Sequence, residues 1–217
     1  TKSVQDFVIS KLKKTDSTAA LKKLMVALAT YGGYAQEYFV KNNSNIDATP
    51  IYSVLSQYGQ ALPDLSGVTV GSIGRTFNKD EANADGLLMG GADVDLNSAV
   101  TLTLKFALTN AEYTINDFTF ELKYIENHVE KSKELEAYLG SDGRYWVDVE
   151  NIPAAYWDYE YVIAVTNTKT NTVSMPSGSV LAFVQLKLKN ANSTEEVKNL
   201  VKGMYYYNEA ANEFFGK

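Results

Sequence analysis

An indole between two charged side chains marks residues 144–149, which read Arg-Tyr-Trp-Val-Asp-Val. Successive side chains of a β-strand point to opposite faces, so burial of Val147 and Val149 leaves Trp146 on the outer face with Arg144 and Asp148. An outward indole can stack on a pyranose ring while charged neighbours hydrogen-bond the sugar hydroxyls. The stretch therefore predicts a sugar contact, unless a helix pair covers this face and makes Trp146 part of an interdomain core.

An aromatic pair, Tyr156 and Trp157, lies in a connection between two predicted strands. The two rings could extend the sugar contact if both are exposed. Alternatively, Trp157 fills one end of the core, which is the more common place for a tryptophan in such a connection. The candidate sugar-binding residues are therefore Trp146, Arg144, Asp148, Trp157 and Tyr156.

Groups suited to catalysis are scarce. The one histidine, His128, stands among glutamates and lysines, a setting typical of a solvated residue rather than of a catalytic triad or a metal ligand. The sequence contains no metalloprotease, nucleophile-elbow or phosphate-loop motif. Carboxylates that could form a glycosidase pair lie on predicted exposed strand faces and turns, where acidic residues are common: Asp142, Asp148, Asp158 and Glu160. We therefore expect a protein that is not an enzyme.

Oxygen-bearing side chains that calcium could use occur between residues 80 and 97. Their spacing differs from that of an EF-hand loop. We expect no cofactor and no metal, and we keep a structural Ca²⁺ as the alternative to ordinary loop acids. The residues concerned are Asp80, Asp85, Asp93, Asp95 and Asn97.

Composition narrows the classes of partner. The formal net charge is −6 and there is no cysteine, so the chain has neither the basic surface of a nucleic-acid-binding protein nor a disulfide framework. No apolar run reaches the roughly 18 residues of a membrane-spanning helix. Fifteen tyrosines against four prolines are typical of extracellular β-rich domains and of surfaces that bind sugars or proteins. No signal-peptide pattern opens the sequence, and we interpret Thr1 as a cut edge rather than a natural start.

Two segments of the chain, residues 3–39 and 179–215, are copies of one pattern. At an offset of 176 residues they are identical at fifteen of 37 positions without a gap, which indicates an internal repeat. The shared apolar positions of the first copy, Val4, Phe7, Val8 and Leu12, have the spacing of one helix face. The second copy alone also alternates as a strand would, but the shared positions favour a helix.

Each copy predicts a helix pair. Ser3 and Ser179 occupy N-cap positions. A polar break follows in each copy, and Ser193 with Glu196 forms a capping box for the second long helix. Each pair has a single apolar face, which it must bury against its counterpart, the middle of the chain or a neighbouring module.

Between the copies the apolar period changes from 3.6 to 2. We expect a short helix at about 51–62, a strand at 68–70 and an acidic, glycine-rich loop at 78–91. Alternating patterns at 101–108 and 118–124 predict strands with one wet and one dry face, as in antiparallel sheets. Further strands are predicted at 144–149, 159–167 and 173–175. The charged segment 128–139 predicts a short helix or an excursion between strands.

The predicted fold class is α+β, an antiparallel immunoglobulin-like β-sandwich flanked by two homologous helix pairs. The expected organisation is an N-terminal helical segment at 1–66, a sandwich of about seven to nine strands at 67–177 and a C-terminal helix pair at 178–217.

Three patterns, SVxDF…LxxLMxALxxYGxxAQxYF, GADVDLNSAVTLTLKFAL and NIPAAYWDYEYVIAV, together resemble a repeat module of large surface proteins from anaerobic gut Gram-positive bacteria. The resemblance covers most of the chain. It is distinct in the first copy and weaker in the second, where Asn208 and Asn212 replace Gly32 and Gln36. It implies a secreted, multi-module, dockerin- or wall-linked protein of the bacterial cell surface, related to starch-adherence and polysaccharide-binding proteins. It brings no catalytic residues.

These observations predict a non-catalytic carbohydrate-binding module of a bacterial surface protein, with an α-glucan such as starch as the expected ligand. The alternative is a structural spacer or protein-interaction module of an adhesin or scaffold that has no sugar ligand. The expected partners are a polysaccharide and neighbouring modules of the same chain. Nucleic acid and membrane insertion are not expected.

Overall fold

A computed structural model describes residues 3–40, 49–96, 99–126 and 129–217. The chain forms two compact units. Unit 1 comprises residues 1–74, 154–156 and 184–217, and unit 2 comprises residues 75–153 and 157–183. His128 and Asn97 lie outside the described residues, so the predictions made for them stay predictions.

Unit 1 is helical. Its helices are α1 (Val4–Leu12), α2 (Ala19–Val40), the short α3 (Val70–Ile73), the C-terminal part of α4 (Val180–Lys189) and α5 (Glu195–Phe215), with 3₁₀ helices at Ile51–Tyr58 and Ala154–Tyr156. Both predicted helix pairs are thus confirmed, and residues 180–189 are a helix rather than a strand. The strand expected at 68–70 is wrong, because Thr69 and Ser72 form a capping box that starts α3.

Side-chain caps start the helices of both copies. The Ser3 hydroxyl accepts a hydrogen bond from the Asp6 N–H at 3.1 Å, and the Ser179 hydroxyl accepts one from the Ala182 N–H at 2.9 Å. The capping box expected at Ser193 is wrong, since α5 begins one residue later. Thr194 is the N-cap, and its hydroxyl accepts a hydrogen bond from the Val197 N–H.

The two long helices of the repeat pack on each other. Tyr31 of α2 and Tyr207 of α5 stack with ring centroids 5.7 Å apart and an interplanar angle of 8°. Lys23, near the start of α2, pairs with Glu213, near the end of α5, so the helices run antiparallel. Each hairpin therefore buries its apolar face against its counterpart, and the buried cluster includes Leu24, Met25, Ala27, Ile51, Leu55, Ala210 and Ala211.

Unit 2 contains two antiparallel sheets. The four-stranded sheet has the order β1 (Leu87–Asp95), β2 (Thr101–Leu108), β6 (Tyr145–Val149), β5 (Ala137–Leu139). The five-stranded sheet has the order β4 (Val129–Leu135), β3 (Phe118–Glu126), β7 (Tyr161–Asn167), β8 (Thr172–Ser174), and β9 (Ser177–Gly178) also pairs with β7. The protein is thus α+β.

Aromatic side chains of the two sheets contact each other. Phe106 of β2 meets Phe120 of β3 edge-on, with centroids 5.5 Å apart. Val147 and Val149 of β6 are buried on the same side as Phe106. The predicted alternation is therefore confirmed for β6, and Trp146 lies on the opposite, outer side of the four-stranded sheet.

Three strands lie where the sequence predicted other structure. β1 takes in part of the expected loop at 78–91, with a bulge between Met89 and Gly91. The charged segment after residue 128 forms β4 and β5 rather than a helix. β4 is an exposed edge strand, where charged side chains hinder pairing with other chains.

Candidate functional site: the polar face of the four-stranded sheet

Three of the predicted site residues, Arg144, Trp146 and Asp148, lie on the outer face of the four-stranded sheet. β6 runs between β2 and β5, and the register places Lys105 and Tyr138 on either side of Trp146. We call this surface the polar sheet face and define it by Asp93, Thr103, Lys105, Tyr138, Asp142, Arg144, Trp146 and Asp148.

The indole of Trp146 is half-buried and held from both sides. The Lys105 ammonium lies over the ring, 4.2 Å from the centroid, and reaches it from β2. Gly140, which follows β5, lies against the ring so closely that a Cβ there would stand 2.1 Å from Cε2. The indole N–H donates to Asp142 Oδ1 at 2.8 Å. The freely outward Trp146 expected from the alternation is therefore wrong in detail, because neighbours within the same unit cover its stacking surface.

Lys105 is the charged centre of this face. Its side chain is only 13% exposed, and its ammonium lies 3.6 Å from Asp93 Oδ2 and 3.5 Å from Asp142 Oδ2. The carboxylates and the indole offset the cost of removing the ammonium from water. Partial desolvation alone would raise the pKa of Asp142, but hydrogen bonds from Trp146 and the Arg144 backbone, with the Lys105 charge, outweigh it and hold that pKa below its ordinary value.

Asp148 organises the other half of the face. Its two carboxylate oxygens accept hydrogen bonds from the Thr103 hydroxyl at 2.6 Å and the Tyr138 hydroxyl at 2.7 Å. Tyr138 is 45% exposed, and its ring meets Trp146 at 5.9 Å with an angle of 65°. Desolvation, followed by the hydrogen bond to Asp148 and its negative charge, raises the pKa of Tyr138 to about 12. Tyr138 is thus an exposed aromatic ring with a fixed orientation.

The exposed Arg144 lies over the bulge of β1. Its Nη1 donates to the Gly90 carbonyl at 3.3 Å, and a Cβ on Gly91 would lie only 3.1 Å from the same nitrogen. The paired glycines leave room for the guanidinium above the backbone of β1. Arg144 is exposed, and this hydrogen bond uses one of the five N–H donors of its guanidinium.

The other two predicted residues are not part of this face. Trp157 is 2% exposed, and its indole N–H donates to the Ile152 carbonyl at 3.2 Å. A ring buried to this extent cannot stack on a polysaccharide, so its place in the sugar site was wrong and the core alternative holds. Tyr156 is exposed but belongs to unit 1, in the 3₁₀ helix Ala154–Tyr156. Neither residue lies on the polar sheet face.

The remaining carboxylates hold loops and strands in place. Asp158 lies 3.9 Å from Arg75, and Glu160 accepts a hydrogen bond from Ser177. Asp80 accepts one from the Met175 N–H at 2.6 Å, and Asp85 accepts one from the Thr172 hydroxyl at 2.9 Å. Within residues 3–40, 49–96, 99–126 and 129–217, histidine, cysteine and acidic side chains form no group of three that could hold a metal ion.

Sequence reasoning missed Lys105 and Tyr138. Lys105 is an ordinary polar position in the alternation of β2, and Tyr138 lies in a charged segment with no strand-like pattern. Only the pairing of β2 and β5 with β6 brings both beside Trp146. The fifteen tyrosines indicated the residue type but not the position.

Comparisons with protein-family models, with curated proteins and with solved structures find no match to this chain. None of the helices in the described part of the chain combines the length and the hydrophobicity that crossing a bilayer requires.

Proposed function

We propose that this chain is a non-catalytic carbohydrate-binding module of a secreted bacterial surface protein, and that the polar sheet face binds the sugar. One observation carries the proposal: Tyr138 is exposed, yet Asp148 and Trp146 fix its ring. An aromatic ring that is already immobilised loses little conformational entropy when a pyranose stacks on it.

In this proposal Trp146 supports the platform rather than serving as the platform. Lys105 and Gly140 occupy its stacking surface, so the sugar ring rests on Tyr138 and meets only the edge of the indole. The free guanidinium donors of Arg144 and the carboxylate of Asp148 then hydrogen-bond the hydroxyl groups. Such a mixture of one apolar surface and a few fixed polar groups suits a carbohydrate.

The charges near Tyr138 favour an uncharged sugar. Asp148, Asp95 and Glu150 each contribute negative potential at the Tyr138 hydroxyl. An acidic polysaccharide would meet repulsion here, whereas a neutral α-glucan such as starch would not. We therefore retain the α-glucan as the proposed ligand.

We also propose that the two sheets of unit 2 form an immunoglobulin-like sandwich. The contact of Phe106 with Phe120 and the antiparallel pairing of all strands support that arrangement. The resemblance to surface-protein modules supports the secreted location. We also propose neighbouring modules of the same chain as partners.

Affinity electrophoresis in native gels that contain amylopectin, β-glucan or xylan tests the proposed function. We expect amylopectin to retard the wild-type chain and Tyr138→Ala to weaken binding at least about tenfold, equivalent to about 1.4 kcal/mol. Tyr124→Ala is the matched control, because Tyr124 is an exposed tyrosine of the other sheet. Unchanged wild-type mobility in every polysaccharide, or equal effects of the two substitutions, would exclude the proposed site.

The second candidate is a spacer or protein-interaction module with no sugar ligand. The covered indole of Trp146 favours it, since the indole N–H and the Lys105 ammonium over the ring already have Asp142 as a partner within the protein. The exposed apolar residues of α1 favour it as well. The same gels distinguish the two candidates, because a spacer migrates unchanged in all of them.

A further inference from the structure

The first helices of the two repeat copies differ in their surroundings. Val180 and Phe183 of α4 are 0% and 7% exposed. The residues at the same repeat positions in α1, Val4 and Phe7, are 55% and 43% exposed. The repeat thus keeps two apolar side chains at positions that are buried in one copy and face water in the other.

The first turn of α4 belongs to unit 2. The short strand β9 pairs with β7 and leads directly into Ser179, the cap of α4. The Leu181 N–H then donates to the Trp157 carbonyl at 2.9 Å. The helix therefore starts as part of unit 2, and Val180 and Phe183 of this first turn are buried.

The first turn of α1 carries polar residues at two positions where the first turn of α4 carries apolar ones. Val8 and Leu12 are buried in unit 1, while Val4 and Phe7 lie next to them along the helix. Gln5 and Asp6 replace the buried Leu181 and Ala182 of α4, and Asp6 is engaged in the capping box with Ser3. A partner on α1 would therefore cover the side of Val4 and Phe7 and leave Asp6 in water.

We propose that Val4 and Phe7 bind a β unit of the same kind as residues 75–178, joined to Ser3 as Gly178 is joined to Ser179. The repeat specifies the occupant, because the equivalent side chains of α4 are buried in a first turn that belongs to such a unit. In this arrangement the first turn of each helix hairpin completes the β unit that precedes it. The inference does not depend on sugar binding by the polar sheet face.

A tandem chain tests this proposal. Residues 75–178 are placed directly before Ser3, which reproduces the junction between Gly178 and Ser179, and the rest of the chain is kept whole. Hydrogen exchange is then measured for the amides of α1 in the tandem and in the single chain. We expect exchange at residues 4–12 to slow at least about tenfold in the tandem, since burial would remove the local opening available to an exposed first turn.

Two substitutions make the result specific. Phe7→Ser should abolish the added protection in the tandem and leave the unfolding temperature of the single chain almost unchanged. Gln5→Ser, an exposed position on another side of the same helix, should keep the protection. Equal exchange of α1 in the tandem and the single chain would overturn the proposal even if the added strands fail to fold, because α1 would then not complete a β unit.

Discussion

Tyr31 and Tyr207 occupy the same position in the two copies of the repeat and stack on each other, 5.7 Å apart and 8° from parallel. Two antiparallel helices whose equivalent residues meet are related by a local two-fold axis that passes through this contact. A Cβ added to Gly203 would lie 3.2 Å from the Cα of Tyr31, so Gly203 packs against that backbone. The residue at the same position of the first copy, Ala27, is buried. The duplicated hairpins thus use one surface on both sides of their contact, as in a symmetric dimer.

The stacked tyrosines should contribute jointly to stability. We expect Tyr31→Ala and Tyr207→Ala each to lower the free energy of unfolding by about 2–4 kcal/mol through lost burial. Because each ring lies on the other, the double mutant should cost less than the two single mutants together, by about 0.5–1.5 kcal/mol. Urea unfolding of the four proteins measures this coupling. Strict additivity would show that the contact is not energetically significant.

Gly140 should be required for the position of Trp146. In Gly140→Ala the new Cβ would stand 2.1 Å from the indole, so the ring must move off Asp142 and towards water. We expect a red-shifted tryptophan emission, and we expect crowding to lower the free energy of unfolding by about 1–3 kcal/mol. Gly67→Ala is the control, since Gly67 has nothing within 4 Å of an added Cβ. Identical emission spectra of the two variants would contradict the packing of Gly140 on the indole.

The sequence predicted the elements whose signals are local. The helix pairs followed from apolar spacing and from the caps Ser3 and Ser179, and the inward side of β6 followed from Val147 and Val149. β1 was missed in part because Gly90 and Gly91, which suggest a loop, form a bulge within a strand. β4 was missed because the charged side chains of an edge strand hide its period.

The candidate site was harder to predict, because its contacts join distant parts of the chain. The outer position of Trp146 follows from alternation, but its exposure is determined by Lys105 of β2 and Gly140 after β5. No local pattern gives the register that brings these residues together. The burial of Trp157 could not be predicted from local sequence either, since only the fold decides whether a loop tryptophan is exposed or buried.

Quenching of tryptophan fluorescence should separate the two indoles. Acrylamide should quench the half-exposed Trp146 and have little access to Trp157, which is buried. We therefore expect Trp146→Phe to lose most of the quenchable emission and Trp157→Phe to keep it. A circular dichroism spectrum establishes that each variant is folded, because Trp157→Phe removes a core indole and its hydrogen bond to Ile152. Equal quenching in the two folded variants would contradict the placement of both residues.

The hydrogen bond between Tyr138 and Asp148 should give the protein a dependence on alkaline pH. Burial and Asp148 raise the folded pKa of Tyr138 to about 12, above its ordinary value of 10.0. A raised folded pKa means that the stabilisation is complete below pH 10 and is lost as the pH rises through 12. The stability advantage of the wild-type chain over Tyr138→Phe should therefore decrease across this window.

Absorbance of tyrosinate, recorded as a difference between wild type and Tyr138→Phe, follows the ionisation of this one hydroxyl while other tyrosines cancel. Asp148→Asn removes the negative charge but keeps a hydrogen-bond acceptor. In this variant the pKa of Tyr138 that the difference titration gives should therefore move back towards 10. A difference titration that stays in place in Asp148→Asn would show that Asp148 does not control Tyr138. The fixed ring on which the proposed sugar contact depends would then lose its anchor.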